Sequence, residues 1–221
     1  MSAPIARIAQ MILAAVFVAP LIATTQEAEQ RSRTQGLKET DRFVKAGGRM
    51  TGAVAKAEQQ TRKTLNAYNA LVTRPSTSMK GDYKNLMKSV DSMNERMESA
   101  RQTVAEMQEA GNVYFSGRAQ TITAISDPAL QSRAKRRLDD SQKHFTRVLY
   151  SLRKADESLE DLGKDLADQI VLLGSDLAPS AMIAAKPNAD TLNARATELF
   201  ARTDTAIANA NAYFQGLKAA Q

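Results

Sequence analysis

A single histidine, His144, is the only imidazole in 221 residues, and the chain contains no cysteine. Any Ser-His-Asp relay would therefore run through His144, which sits beside Phe145 on a charged stretch with no local hydroxyl-nucleophile motif. The absence of cysteine removes thiol nucleophiles, thiolate metal sites, disulfides and lipidation of a leader cysteine. Six carboxylates, Asp156, Glu157, Glu160, Asp161, Asp165 and Asp168, offer oxygen ligands. At helical spacing they spread over several faces and lack the loop of a calcium hand, so they read as a solvated flank. Paired carboxylates can do acid/base work only inside a cleft, and no cleft-forming loops accompany these. Glycine-rich phosphate loops, dinucleotide fingerprints and zinc spacings are all missing. We therefore read the chain as non-enzymatic, with no catalytic residue, no metal site and no cofactor.

Two basic features remain. The run Arg133-Ala134-Lys135-Arg136-Arg137 has Asp139 and Asp140 four residues after Lys135 and Arg136, a spacing that pairs charges along one helix. Without interleaved aromatics it argues against nucleic acid as the partner. The second feature is broader. Between Glu27 and Lys80 eleven Lys/Arg stand against five Asp/Glu, whereas the rest of the chain is close to neutral. Arg31, Arg33, Lys38, Arg42, Lys45 and Arg49 are the candidate contacts with an anionic membrane surface or envelope polymer. The plain alternative is a solvated helix face.

These groups sit on a chain built for long helices. Aromatics make up only 5% and Trp is absent, while the common residues are helix formers suited to narrow apolar seams. From Tyr83, the positions Leu86, Val90, Met93, Met97, Ala100, Val104, Met107, Gly111 and Tyr114 follow at alternating spacings of three and four, apolar or aromatic except for Gly111. The methionines Met87, Met93, Met97 and Met107 read as core along this seam rather than as a plastic partner surface. A second seam follows Ser126-Asp127-Pro128, a helix-start signal, and runs through Phe145, Val148, Leu152, Ala155, Leu159, Leu162, Leu166, Ile170, Leu173 and Leu177. At about 1.5 Å per residue the two helices would be about 65 and 75 Å long, and the short link between them favours an antiparallel hairpin.

Weaker seams flank this pair. Phe43, Gly47, Met50, Val54, Ala57, Thr61, Thr64 and Tyr68 keep the spacing, with Gly47, Gly48 and Gly52 weakening the helix start. After an expected break at Pro179 to Asp190, Leu192, Ala196, Leu199, Ala206, Ala210, Tyr213 and Leu217 form a last amphipathic helix. The expected fold is all-α: an elongated antiparallel coiled-coil bundle of about four helices, near 38–73, 82–125, 128–177 and 190–218, preceded by a hydrophobic leader helix. Self-association through the seams is a further expectation.

The leader itself is Arg7 followed by an uncharged run from Ile8 to Gln26, with small residues after Pro20. That pattern reads as a signal peptide. A cut after Ala23 would place Leu21 at the third position upstream, so a signal anchor stays open. We take residues 1–26 as signal peptide or anchor and 27–221 as a single helical domain. The expected location is periplasmic, or anchored in the inner membrane and facing the periplasm. Arg31, Arg33, Lys38 and Arg42 follow the apolar run, and by the positive-inside rule they support the alternative of the cytoplasmic face.

The stretch Asp168-Gln169-Ile170-Val171-Leu172-Leu173-Gly174-Ser175-Asp176-Leu177-Ala178-Pro179-Ser180-Ala181-Met182 resembles the most recognisable segment of the bacterial family called domain of unknown function 2959. There Asp-Gln-Val-Leu leads to a leucine, a Lys-His pair and Asn-Leu-Asn, ending in Ala-Ile. Arg96-Met97 and Tyr114-Phe115 are similar too, and the likeness covers about Phe43 to Leu217. Gly174 and Ser175 stand where the family has Lys-His, and the leader lacks the lipidation cysteine of many relatives. The resemblance implies a helical protein of the bacterial envelope whose activity the family does not define.

Overall fold

A computed structural model of the protein describes residues 19–74 and 78–219, with side chains from Gln35 onward. Four helices make up these residues: α1 (Ala19–Thr73), α2 (Met79–Thr123), α3 (Pro128–Ser175) and α4 (Pro179–Ala219). The chain divides into two compact units, Met1–Lys38 and Glu39–Gln221. Of the first, the described part is the N-terminal stretch of α1, in which Leu37 and Lys38 are exposed. Residues 1–18 of the expected leader lie outside the described residues, as do the side chains of Arg31 and Arg33.

The second unit is an elongated up-and-down four-helix bundle. Each helix lies antiparallel to its neighbours, which paired cross-links show by their order: Thr40–Arg118 and Gln60–Ser89 between α1 and α2, Arg101–Glu160 and Gln108–Arg153 between α2 and α3, Ser141–Tyr213 and Asp165–Arg195 between α3 and α4, and Arg62–Asp204 and Asn69–Asn193 between α1 and α4. The α2 seam is buried from Leu86 to Tyr114, and the α3 seam from Phe145 to Leu173. Burying each large aliphatic or aromatic side chain of this kind is worth about 1.5–3 kcal/mol, so the four seams hold the unit together.

The ends of the helices are chemically specified. Asp127 caps α3, its carboxylate accepting from the backbone N–H of Ala129 (2.7 Å) and Leu130 (3.0 Å), and Pro128 occupies the first turn, where no N–H is needed. The Gln131 amide donates to the carbonyls of Ile122, Thr123 and Ile125, satisfying the open C-terminal end of α2. Asp176 does similar work between α3 and α4, accepting from Ala178 N–H at 2.8 Å.

Two helix starts differ from the sequence reading. α1 is already helical at Ala19 and runs unbroken through Gly47, Gly48 and Gly52. Gly47 has a packing reason, because a Cβ there would lie 2.5 Å from the Phe214 ring. Ring contact compensates for the helix propensity that the glycine gives up. α4 begins at Pro179 rather than near residue 190, with Pro187 inside it. Met182, Ala185 and Ala189 are buried on either side of that proline, and their packing holds the added turns despite the lost backbone hydrogen bond.

Most of the aromatic residues gather at one level of the bundle. Phe43 stacks on Tyr114 (4.5 Å between centroids) and meets Phe115, Phe145 and Phe214 edge-on at 5.2–5.7 Å. Gly111, the one non-apolar position in the α2 seam, faces Phe145, whose Cζ would lie 2.5 Å from an added Cβ. Thus a small residue on one helix makes room for a ring from the next.

Candidate functional site

The basic segment of the second unit is positioned by what α1 buries. Phe43, Met50, Val54, Ala57, Thr61, Thr64 and Tyr68 all point into the bundle with 1% exposure or less. Thr61 is satisfied locally, donating to the Ala57 carbonyl at 2.9 Å, whereas the Thr64 hydroxyl lies 3.0 Å from the Gln60 carbonyl and 2.7 Å from the Ser89 hydroxyl of α2. With that face fixed inward, Arg42, Lys45, Arg49, Lys56 and Lys63 fall at spacings of three, four, seven and seven along one exposed line.

The line runs beside α2. Arg49 reaches Glu106 of α2 at 3.9 Å, with both side chains about 60% exposed, a surface pair worth at most about 1 kcal/mol. Arg42, Lys45, Lys56 and Lys63 make no ion pair among the described residues. Lys88 lies eighteen residues, five helical turns, before Glu106 and so shares its side of α2; Arg96 lies seven after Ser89, which bonds Gln60 and Thr64 of α1. Both are exposed. The α1–α2 flank therefore carries seven cations against Asp41, Glu95 and Glu106. Lys38 is exposed too, within the preceding unit.

Arg62 falls in the same basic segment but is turned elsewhere. Its Nε donates to the buried Glu58 carboxylate at 2.7 Å, it reaches Asp204 of α4 at 3.2 Å, and its guanidinium lies 4.0 Å over the Phe200 ring. Burial pushes the Glu58 carboxyl up from its ordinary value, and the Arg62 bond and charge oppose that shift. Arg62 thus ties α1 to α4 and is not free for an external anion.

The other sequence candidates fall into place as follows. His144 is exposed on α3 with its ring 4.9 Å from that of Tyr213. Within the acidic row, Glu157 pairs with Lys154, Glu160 with Arg101 and Lys164, and Asp165 with Arg195. Asp161 and Asp168 are exposed. Asp156 is different: it is buried in the α2–α3 contact with no ion pair, and burial pushes its carboxyl up to about 6. No cluster of three or more His, Asp or Glu side chains able to hold a cation occurs among the described residues. In the basic run, the pairs expected of Lys135 with Asp139 and Arg136 with Asp140 do not form. Arg136 donates instead to Ser132 at 2.8 Å, and Asp140 lies 3.9 Å from Lys143. Met93, Met97 and Met107 are buried, and Met87 is half-buried against the core. Among the described residues no helix is long and apolar enough to cross a membrane.

Sequence reasoning missed the separation of Arg62 from its basic neighbours and the contributions of Lys56, Lys63, Lys88 and Arg96. The signal for Lys56 and Lys63 was present as a continued seven-residue spacing from Arg49.

The family model described as protein of unknown function (DUF2959) matches residues 30–217, and the chain belongs to that family. No curated protein and no solved structure matches the chain.

Proposed function

We propose that this member of a family without a known activity is a non-enzymatic helical interaction protein of the bacterial envelope, exported and laid against an anionic membrane surface by the α1–α2 flank. The observation that carries the reading is the line Arg42, Lys45, Arg49, Lys56 and Lys63, exposed along one side of a rigid helix and almost free of ion pairs. Each basic group held near an anionic leaflet contributes about 1 kcal/mol, so a row of this length suffices for reversible attachment without an apolar insertion. The acids Asp41, Glu95 and Glu106 offset part of that attraction. In this proposal the heptad seams pack as an antiparallel coiled coil and serve as the scaffold.

The test is co-sedimentation of the full chain with phosphatidylglycerol-containing vesicles across a salt series. The salt-dependent part of binding should be lost when Arg42, Lys45 and Arg49 are changed together to Gln, with helical content unchanged, because exposed charges are screened beyond about 8 Å at physiological ionic strength. Retention of that part in the triple variant sinks the assignment, and salt-dependent binding to anionic polymer but not to vesicles would move the partner from membrane to polymer. A second reading rests on Arg31, Arg33, Lys38 and Arg42 following the apolar run, which favours an anchored protein facing the cytoplasm. Protease accessibility of the basic segment in spheroplasts separates the two: digestion supports export, protection the cytoplasmic face.

A further inference from the structure

Between α3 and α4 lies a groove of about 790 Å³ that the membrane-facing role does not use. On α3, Phe145 and Val148 are buried in the core, which turns His144 and Arg147 toward α4 and into the groove. On α4, Tyr213 forms the opposite wall. Its hydroxyl lies 3.1 Å from Ser141 Oγ and donates to the Ser141 carbonyl at 3.3 Å, so the ring is held in one place. Burial pushes that phenol up to about 12, which keeps it neutral.

Of the seven polar residues lining this groove, Ser141 and Tyr213 bond each other and Ser151 donates to the Arg147 carbonyl, whereas three donors, His144, Arg147 and Asn209, are left open. Arg147 and Asn209 make no side-chain hydrogen bond or ion pair among the described residues, and His144 has only its ring contact with Tyr213. The acid of the groove, Asp140, lies 3.9 Å from Lys143. Beneath the donors the lining is apolar, from Val148, Ala212 and Leu217. The space is not filled from α4, since a Cβ added to Gly216 would meet nothing within 4 Å. A cluster of open donors over an apolar floor, in a volume typical of small-molecule sites, matches a ligand with a charged oxygen head and a greasy body.

We propose that the α3–α4 groove binds a small anionic amphiphile, with Arg147 and His144 on its carboxylate or phosphate head and the floor of Val148, Ala212 and Leu217 under its apolar body. Arg147 supplies the charge-assisted hydrogen bonds, Tyr213 the flat wall against which the body packs, and Gly216 the room. The site is independent of the α1–α2 flank, which other helices build.

Titration of the full chain with decanoate, followed by amide NMR spectra, tests this. Decanoate should give saturable shifts at His144, Arg147, Tyr213 and Gly216, whereas inorganic phosphate alone and decanol should not. Octyl phosphate in place of decanoate tells which head is preferred. Arg147→Gln should weaken binding about tenfold, the scale of one hydrogen bond to a charged group. Gly216→Leu, which fills the groove at a position where helix formation is favoured, should remove the saturable shifts while leaving helical content unchanged. The triple change of Arg42, Lys45 and Arg49 to Gln should leave decanoate affinity as it is. Equal binding of decanol, unchanged affinity in Arg147→Gln or Gly216→Leu, or shifts confined to the α1–α2 flank would each overturn the proposal.

Discussion

Asp156→Asn should make the protein more stable at pH 8 and leave it unchanged near pH 4. Asp156 lies in the α2–α3 contact at 8% exposure, beside the seam residues Leu152, Ala155 and Leu159. The cation acting on it, Arg101, is already engaged by Glu98 and Glu160, so its pull does not offset the cost of burial, and Glu160, Glu157 and Glu98 push the carboxyl further up. The folded-state value of about 6 stands against an ordinary 3.8. A proton is therefore held by the folded chain and released by the unfolded chain between those two values, and stability falls as pH rises through that window and levels off above it. At about 1.4 kcal/mol per pH unit of difference the ceiling is about 3 kcal/mol. Water that reaches the carboxyl lowers this, and we expect a gain of about 1–2 kcal/mol for the amide, or about 2–8 °C in melting temperature for a chain of this size. Paired thermal melts of wild type and variant at pH 4, 6 and 8 read the difference directly, because other titrating groups affect both chains alike. Asp161→Asn, at an exposed position on the same helix, is the control and should do nothing. A gap of equal size at pH 4 and pH 8, or a less stable variant at pH 8, would refute the reasoning.

Gly111→Ala should destabilise the bundle although alanine is the better helix former, because the new Cβ meets the Phe145 ring; Gly52→Ala, with nothing within 4 Å, should instead stabilise it by up to about 1 kcal/mol in denaturant titrations. Leu159→Asp and Met97→Asp place an unpaired charge in buried seam positions and should cost several kcal/mol in order of magnitude, against at most about 1 for Glu160→Ala; equal melting points would remove the seam assignment. Arg62→Ala should lower stability by more than Lys63→Ala, since it leaves the buried Glu58 without its cation, and the excess loss should shrink in acid as Glu58 is protonated. Protein recovered from its host should begin close after Ala23 if the leader is processed, which mass spectrometry of the intact chain decides.

What could be read in advance depended on whether the deciding partner was local. The seam of α2 was legible because helical periodicity alone puts Leu86, Val90, Met93 and Met97 on one side, and all four are buried. Even Thr61 could be placed inward by spacing, because its hydroxyl bonds the carbonyl four residues back and needs nothing from outside its own helix. The glycines were misread for the opposite reason. Gly47 looks like a weak helix start until Phe214 of α4 is brought against it, and Gly111 looks like a flaw in a seam until Phe145 arrives from α3.

The same distinction governs the basic segment. Composition locates a surplus of Lys and Arg between Glu27 and Lys80, but charge counting treats Arg62 and Lys63 alike. They differ by one helical step, which turns Lys63 to solvent and Arg62 against Phe200 and Asp204 of α4. An arginine is suited to that inward position because its planar group stacks on a ring while bonding two carboxylates; a lysine there would hold one contact and lose the other. Arg62 therefore belongs to the packing of α1 against α4, and it adds to the buried seam that sets which side of the helix, with the row from Arg42 to Lys63, faces out. Arg62→Lys separates the two roles: it preserves the formal charge of the segment yet should weaken both the α1–α4 contact and the salt-dependent vesicle binding of the row beside it. If vesicle binding followed net charge alone and survived this substitution in a measurably destabilised bundle, the attachment would depend on charge number and not on the ordered edge.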